Sequence, residues 1–74
     1  MDAALAKRIE RIKQVTEEFD LNQSRIAEYA ERSRTTVTKL FGGLDERYLT
    51  ESNVAAIEKG IEKILEEYRK KLCK

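Results

Sequence analysis

Apolar residues return every three or four positions through most of this chain, and the phase of that return breaks between stretches. Leu5, Ile9, Ile12, Val15 and Phe19 make one stripe at helical spacing. They predict an amphipathic helix over about residues 3–18, with Asp2 as its N-cap. The pattern restarts around Asn22, where Leu21 and Ile26 flank the cap as a hydrophobic staple, predicting a second helix from residue 23 to about 31. Ser33 opens a third helix that runs to about Phe41 and turns Val37 and Leu40 inward. Gly42 is expected to supply the left-handed residue that stops it. A loop with a short turn at residues 45–48 follows. Thr50 then caps a last helix, with Leu49 and Val54 as a second staple. Val54, Ile57, Ile61, Ile64 and Tyr68 repeat in threes and fours, carrying that helix to about Leu72, a length of ~33 Å. Gly60 lies off the stripe, where it costs roughly 1 kcal/mol against alanine, and it would permit a close helix approach. The expected fold is all-α: one domain, a compact four- or five-helix bundle with a long C-terminal helix.

The absence of proline and the abundance of Lys, Glu, Ala and Leu agree with that reading. At 74 residues the chain buries only ~60% of its unfolded surface. The usual staples of small folds are missing, since one cysteine cannot close a disulfide within the chain and there is no histidine for a common zinc site. Cys73 is expected to be a free, exposed thiol. No apolar run approaches the ~20 residues of a membrane span, and no signal-peptide pattern is present. The expectation is a cytoplasmic protein without cofactor or metal, bacterial or phage-encoded and associated with the nucleoid.

Charge sharpens the picture by its distribution. Charged residues are 39% of the chain, yet the net charge is +1. Residues 1–20 are slightly acidic and residues 44–74 balanced; Arg25, Arg32, Arg34 and Lys39 outnumber Glu28 and Glu31 between them. The one segment with excess positive charge therefore coincides with residues 23–43, QSRIAEYAERSRTTVTKLFGG. Two short helices joined by a tight turn, the second cationic and rich in hydroxyls, form a helix-turn-helix, a device for placing one helix in the DNA major groove. Ala27 lets the helices cross closely, and Ile26, Ala30, Val37 and Leu40 form the small core between them. The Ser33 end of the third helix favours an anion such as phosphate.

IAEYA followed by S-x-x-T-V-T-K resembles the headpiece of lactose-repressor-type transcription factors, and LTESNVAAIEKGI is similar to the next helix of that family. The wider lambda-repressor-like superfamily shares the helix order, including a helix like residues 3–18. The resemblance covers about residues 21–64. By position it implies base-edge contacts from Arg34, Thr35 and Lys39; the arginine fork suits guanine N7 and O6. Thr36 and Thr38 are expected to donate hydroxyls to phosphate, as are Ser33 at the helix start and Asn22, Gln23 and Ser24 on the other flank, with Arg25 a further phosphate partner. Two positions depart from the family pattern. Glu31 stands where a turn glycine is usual, and Arg32 where a buried aliphatic is usual. Either the turn is built differently, or Arg32 lays its stem on the core and its head in solvent.

These residues also have plainer roles open to them. Arg34 and Lys39 could be solvated surface cations and the threonines merely tolerated, although β-branched residues form helices poorly. Tyr29 suits packing, Tyr48 packing or a phosphate contact, and the cations at 69–71 complement a helix end. Leu65, Tyr68 and Leu72 fall on one side of the last helix beyond the expected core, which predicts a homodimer on a palindromic site. No catalytic residue is expected: there is no histidine and no glycine-rich phosphate loop, and the carboxylates sit among lysines on helix faces. No small-molecule effector is implied. The expected function is sequence-specific double-stranded DNA binding by a small repressor. The alternative is a helical protein–protein module, antitoxin-like or adaptor, without base readout.

Overall fold

The computed structural model describes residues 3–43 and 45–72. The expectations for Asp2 and Cys73 fall outside them. Four α-helices and one turn of 3-10 helix follow in order: α1 (Ala3–Glu18), α2 (Gln23–Ala30), α3 (Arg34–Gly42), the 3-10 turn (Glu46–Tyr48) and α4 (Glu51–Leu72). The fold is all-α. No helix among the described residues is long and apolar enough to cross a membrane.

The predicted stripes meet in one core. Ile9 and Ile12 of α1, Ile26, Ala27 and Ala30 of α2, Val37 and Leu40 of α3, and Val54, Ile57, Ile61 and Ile64 of α4 are buried together, with Leu21 and Leu49 closing it. Both staples form, since Leu21 and Ile26 are buried around the Asn22 cap, and Leu49 and Val54 around Thr50. Asn22 Oδ1 accepts from the Ser24 amide at 2.8 Å, and Thr50 Oγ1 from the Asn53 amide at 3.2 Å. Phe19 does not continue the α1 stripe. The helix stops at Glu18, the chain reverses at Asp20 (φ 51°), and Phe19 is left 52% exposed.

α4 is the spine against which the other helices lie. α2 can approach it closely because Gly60 has no side chain; a Cβ there would stand 2.9 Å from the Ala30 backbone nitrogen. α1 is tied to α4 by Arg8, whose guanidinium grips Glu58 through two nitrogens (2.6 and 3.2 Å) and Glu51 through a third at 2.7 Å. These carboxylates raise the Arg8 pKa further above its ordinary value. α2 carries a second tie farther along α4. Tyr29 donates its hydroxyl to the Glu67 carboxylate, Arg25 pairs with the same carboxylate at 3.2 Å, and the Arg25 guanidinium carbon lies 5.6 Å from the ring centres of both Tyr29 and Tyr68.

Candidate nucleic-acid interface

The turn between α2 and α3 sets the angle at which α3 is shown to solvent. Glu31 adopts the left-handed conformation (φ 56°, ψ 42°), and the Arg32 amide reaches back to the Ala27 carbonyl at 3.0 Å. This is the six-residue closure that usually employs glycine. The turn is thus built in the ordinary way, with glutamate carrying the strained residue. Arg32 does not leave its head in open solvent. Its Nε donates to Asn53 Oδ1 at 3.1 Å and another nitrogen to Ser52 Oγ at 3.2 Å, fastening the turn to the first turn of α4. Asn53 in turn donates to the Tyr48 carbonyl at 3.1 Å, so a single amide joins the turn, the 3-10 segment and α4.

α3 starts at Ser33, whose Oγ accepts from the Thr36 amide at 3.1 Å and lies 2.8 Å from the Thr36 hydroxyl. The amides of Arg34 and Thr35 find no acceptor among the described residues. Val37 and Leu40 are fully buried, so the opposite side of α3 faces outward. Arg34, Thr35, Thr38 and Lys39 line one shallow hollow on that side. All four are exposed. Among the described residues neither Arg34 nor Lys39 has a carboxylate within ion-pairing distance, whereas Arg8, Arg25 and Arg47 each do.

Thr38, expected to meet phosphate, stands beside Arg34 and Thr35. Its hydroxyl donates to Gln23 Oε1 at 3.1 Å, linking the outer face of α3 to the start of α2. That bond occupies the Gln23 oxygen and leaves its two amide N–H donors without an acceptor among the described residues. Asn22 and Ser24 are exposed on the same end of α2. Arg25 leaves this group. Its guanidinium is turned to Tyr29, Tyr68 and Glu67, where the Tyr29 bond leads the causes that raise its pKa, because α2 presents position 25 to α4. For the same reason Tyr68 is partly used up as a partner of Arg25, leaving Leu65 packed at the core edge and Leu72 84% exposed at the far end of α4.

The helix stop is displaced by one residue from expectation. Gly42 is the last residue of α3, and Gly43 takes the left-handed cap at φ 67°. A Cβ on Gly43 would lie 3.9 Å from Lys13 Nζ, so a cation of α1 stands at the C-terminal end of α3. Nothing in the α1 pattern says which neighbour the polar face carrying Lys13 meets. Asp45 caps the 3-10 turn, accepting from the Arg47 amide and guanidinium, and this pairing holds its carboxyl below the usual value. No cluster of three or more His, Cys, Asp or Glu side chains among the described residues is placed to hold a metal.

The arrangement offers a cationic, hydroxyl-bearing helix face, two helix starts beside it, and unspent donors on all of them. No family model, curated protein or solved structure matches this chain.

Proposed function

We propose that this chain binds double-stranded DNA in a sequence-dependent way, with α3 in the major groove. The observation that carries the reading is the outer face of α3, where Arg34, Thr35, Thr38 and Lys39 stand exposed around one hollow and neither cation is ion-paired among the described residues, unlike Arg8, Arg25 and Arg47. Arg34 at the first turn is the guanine reader, Thr35 and Thr38 offer hydroxyls and methyls to base edges, and Lys39 reaches a base or phosphate. Ser33, Thr36, Asn22, Gln23 and Ser24 hold the flanking phosphates through hydroxyls, amides and helix starts. The resemblance to lactose-repressor-type headpieces points the same way. A single helix reads few base pairs, so the proposed active form is a homodimer on an inverted repeat, joined through the Leu72 end of α4 and acting by occupying a promoter in the cytoplasm.

The test is fluorescence anisotropy with duplex DNA across a range of salt. The expected result is an affinity that falls with a log–log slope near −0.9 for each phosphate neutralised, and a preference among sequences that survives at high salt. Absence of binding at low salt would return the chain to the class of helical protein–protein modules.

A further inference from the structure

Gly43 is demanded by its left-handed backbone and Gly60 by the Ala30 backbone beside it. Gly42 is demanded by neither. It is helical, and a Cβ built there meets nothing within 4 Å. Counting back in fours from Gly42 gives Thr38 and Arg34, so the bare position is the last member of the row that forms the outer face of α3. It is exposed, as are Thr38 and Arg34. A glycine in a helix, with open space around it and no conformational need, weakens the fold without benefit inside the molecule. The remaining physical use of a missing side chain is the close approach of a surface from outside.

The charges around it say what kind of surface. Lys39 is three residues earlier on α3, and Lys13 Nζ stands beside Gly43. The acid near Lys39, Asp45, is itself neutralised by Arg47 at 2.9 Å. The C-terminal end of a helix alone would repel an anion; two lysines at this end reverse that.

We infer that the sugar–phosphate wall of the major groove runs against the bare backbone of Gly42, between Lys13 and Lys39. This rests on the DNA-binding reading and adds to it a second end of contact. The Ser33 end of α3 meets one strand and the Gly42 end meets the other, with Lys13 of α1 as a phosphate contact outside the helix-turn-helix. Gly42 acts as a positioning residue, setting how deeply α3 can seat.

The experiment pairs thermal unfolding with duplex binding for the wild type, Gly42→Ala, Gly42→Leu and Lys13→Ala, using the sequence the wild type prefers. Gly42→Ala is expected to raise the melting temperature by about 2–5 °C and to weaken binding by about tenfold, with Gly42→Leu weaker still. Lys13→Ala is expected to weaken binding equally on all sequences and to lessen the salt slope by about one. Unchanged affinity in both glycine variants overturns the inference while leaving the DNA reading in place. A lowered melting temperature in Gly42→Ala overturns it too, because the fold would then need the glycine. A wild type that binds no duplex removes both.

Discussion

Glu31 holds a backbone conformation that L side chains enter at a cost of roughly 1–2 kcal/mol, and it does so at the hinge of the helix pair. The left-handed turn is locked by the Arg32 amide to the Ala27 carbonyl and by the Arg32 fork to Ser52 and Asn53, so the geometry persists without glycine. Glu31→Gly should therefore stabilise the protein by about 1 kcal/mol, less the entropy glycine adds to the unfolded chain, as measured by urea unfolding. A loss of stability would mean that the glutamate side chain contributes something its exposed position does not suggest. Arg34 is the complementary case, a residue with no visible duty in the fold. Arg34→Ala should leave the melting temperature within about a degree while costing ~1–3 kcal/mol of affinity for the preferred site and relaxing preference at one base pair. Equal loss on every sequence would make Arg34 a phosphate contact only. At this scale the sequence spoke clearly where the rule is local. The caps at Asn22, Ser33 and Thr50 need only a side chain and an amide two or three residues away. It could not speak for Arg25, which turns to Glu67 and Tyr68 of α4, or for Lys13, which stands beside Gly43, because those neighbours are chosen by how the helices cross.

The elements follow from the apolar periodicity because one stripe per helix is enough to fix which face is buried. The ends were harder. α1 ends at Glu18 and is followed by a left-handed Asp20 with no glycine to mark the stop, so the spacing of Phe19 matches a stripe that the residue does not join. α3 has two glycines at its end, and the first was expected to be the stop, although both are compatible with one and only the second adopts the left-handed φ. Gly60 shows the pattern read correctly: a glycine off the stripe in a long helix implied a neighbour, and the neighbour is Ala30. Gly60→Ala should destabilise by about 1–3 kcal/mol, since the new methyl meets rigid helix backbone rather than a movable side-chain tip. The α2–α4 tie at Glu67 gives a pH signature. Tyr29, and after it Arg25, hold the Glu67 carboxyl below its ordinary value of 4.5. The folded protein therefore binds that proton less readily than the unfolded chain, and the contribution is complete above pH 4.5 and is lost as pH falls through the lowered value. Asp45 acts in the same direction at the 3-10 turn. Urea midpoints between pH 7 and pH 3 should fall less steeply in Glu67→Gln than in the wild type; identical slopes would show that the tie is too exposed to matter.

The whole molecule is longer than its core requires. Its greatest extent is 42 Å against 23 and 18 Å in the other directions, because α4 continues past the buried Ile64 to the exposed Leu72. A protein that reads a short site with one helix gains reach by pairing, and half-sites one duplex turn apart are separated by ~34 Å. Sedimentation at micromolar concentration should give a dimer, and Leu72→Glu a monomer that binds the same half-site more weakly. A monomeric wild type would assign the far end of α4 some other duty. The all-α fold, the core and the outward face of α3 were recoverable from periodicity and capping. The relation between the helix pair and the C-terminal end of α4 was not, because it depends on the Arg25 stack and the Gly60 approach, both of which are properties of the packed whole.

Whether α3 distinguishes one duplex from another decides the proposed function. The most direct measurement is selection of bound sites from a pool of random duplex DNA, followed by sequencing. The expected result is enrichment of a short element containing a guanine whose selection disappears with Arg34→Ala, arranged as inverted copies about ten base pairs apart centre to centre. A recovered pool as random as the one supplied would contradict it.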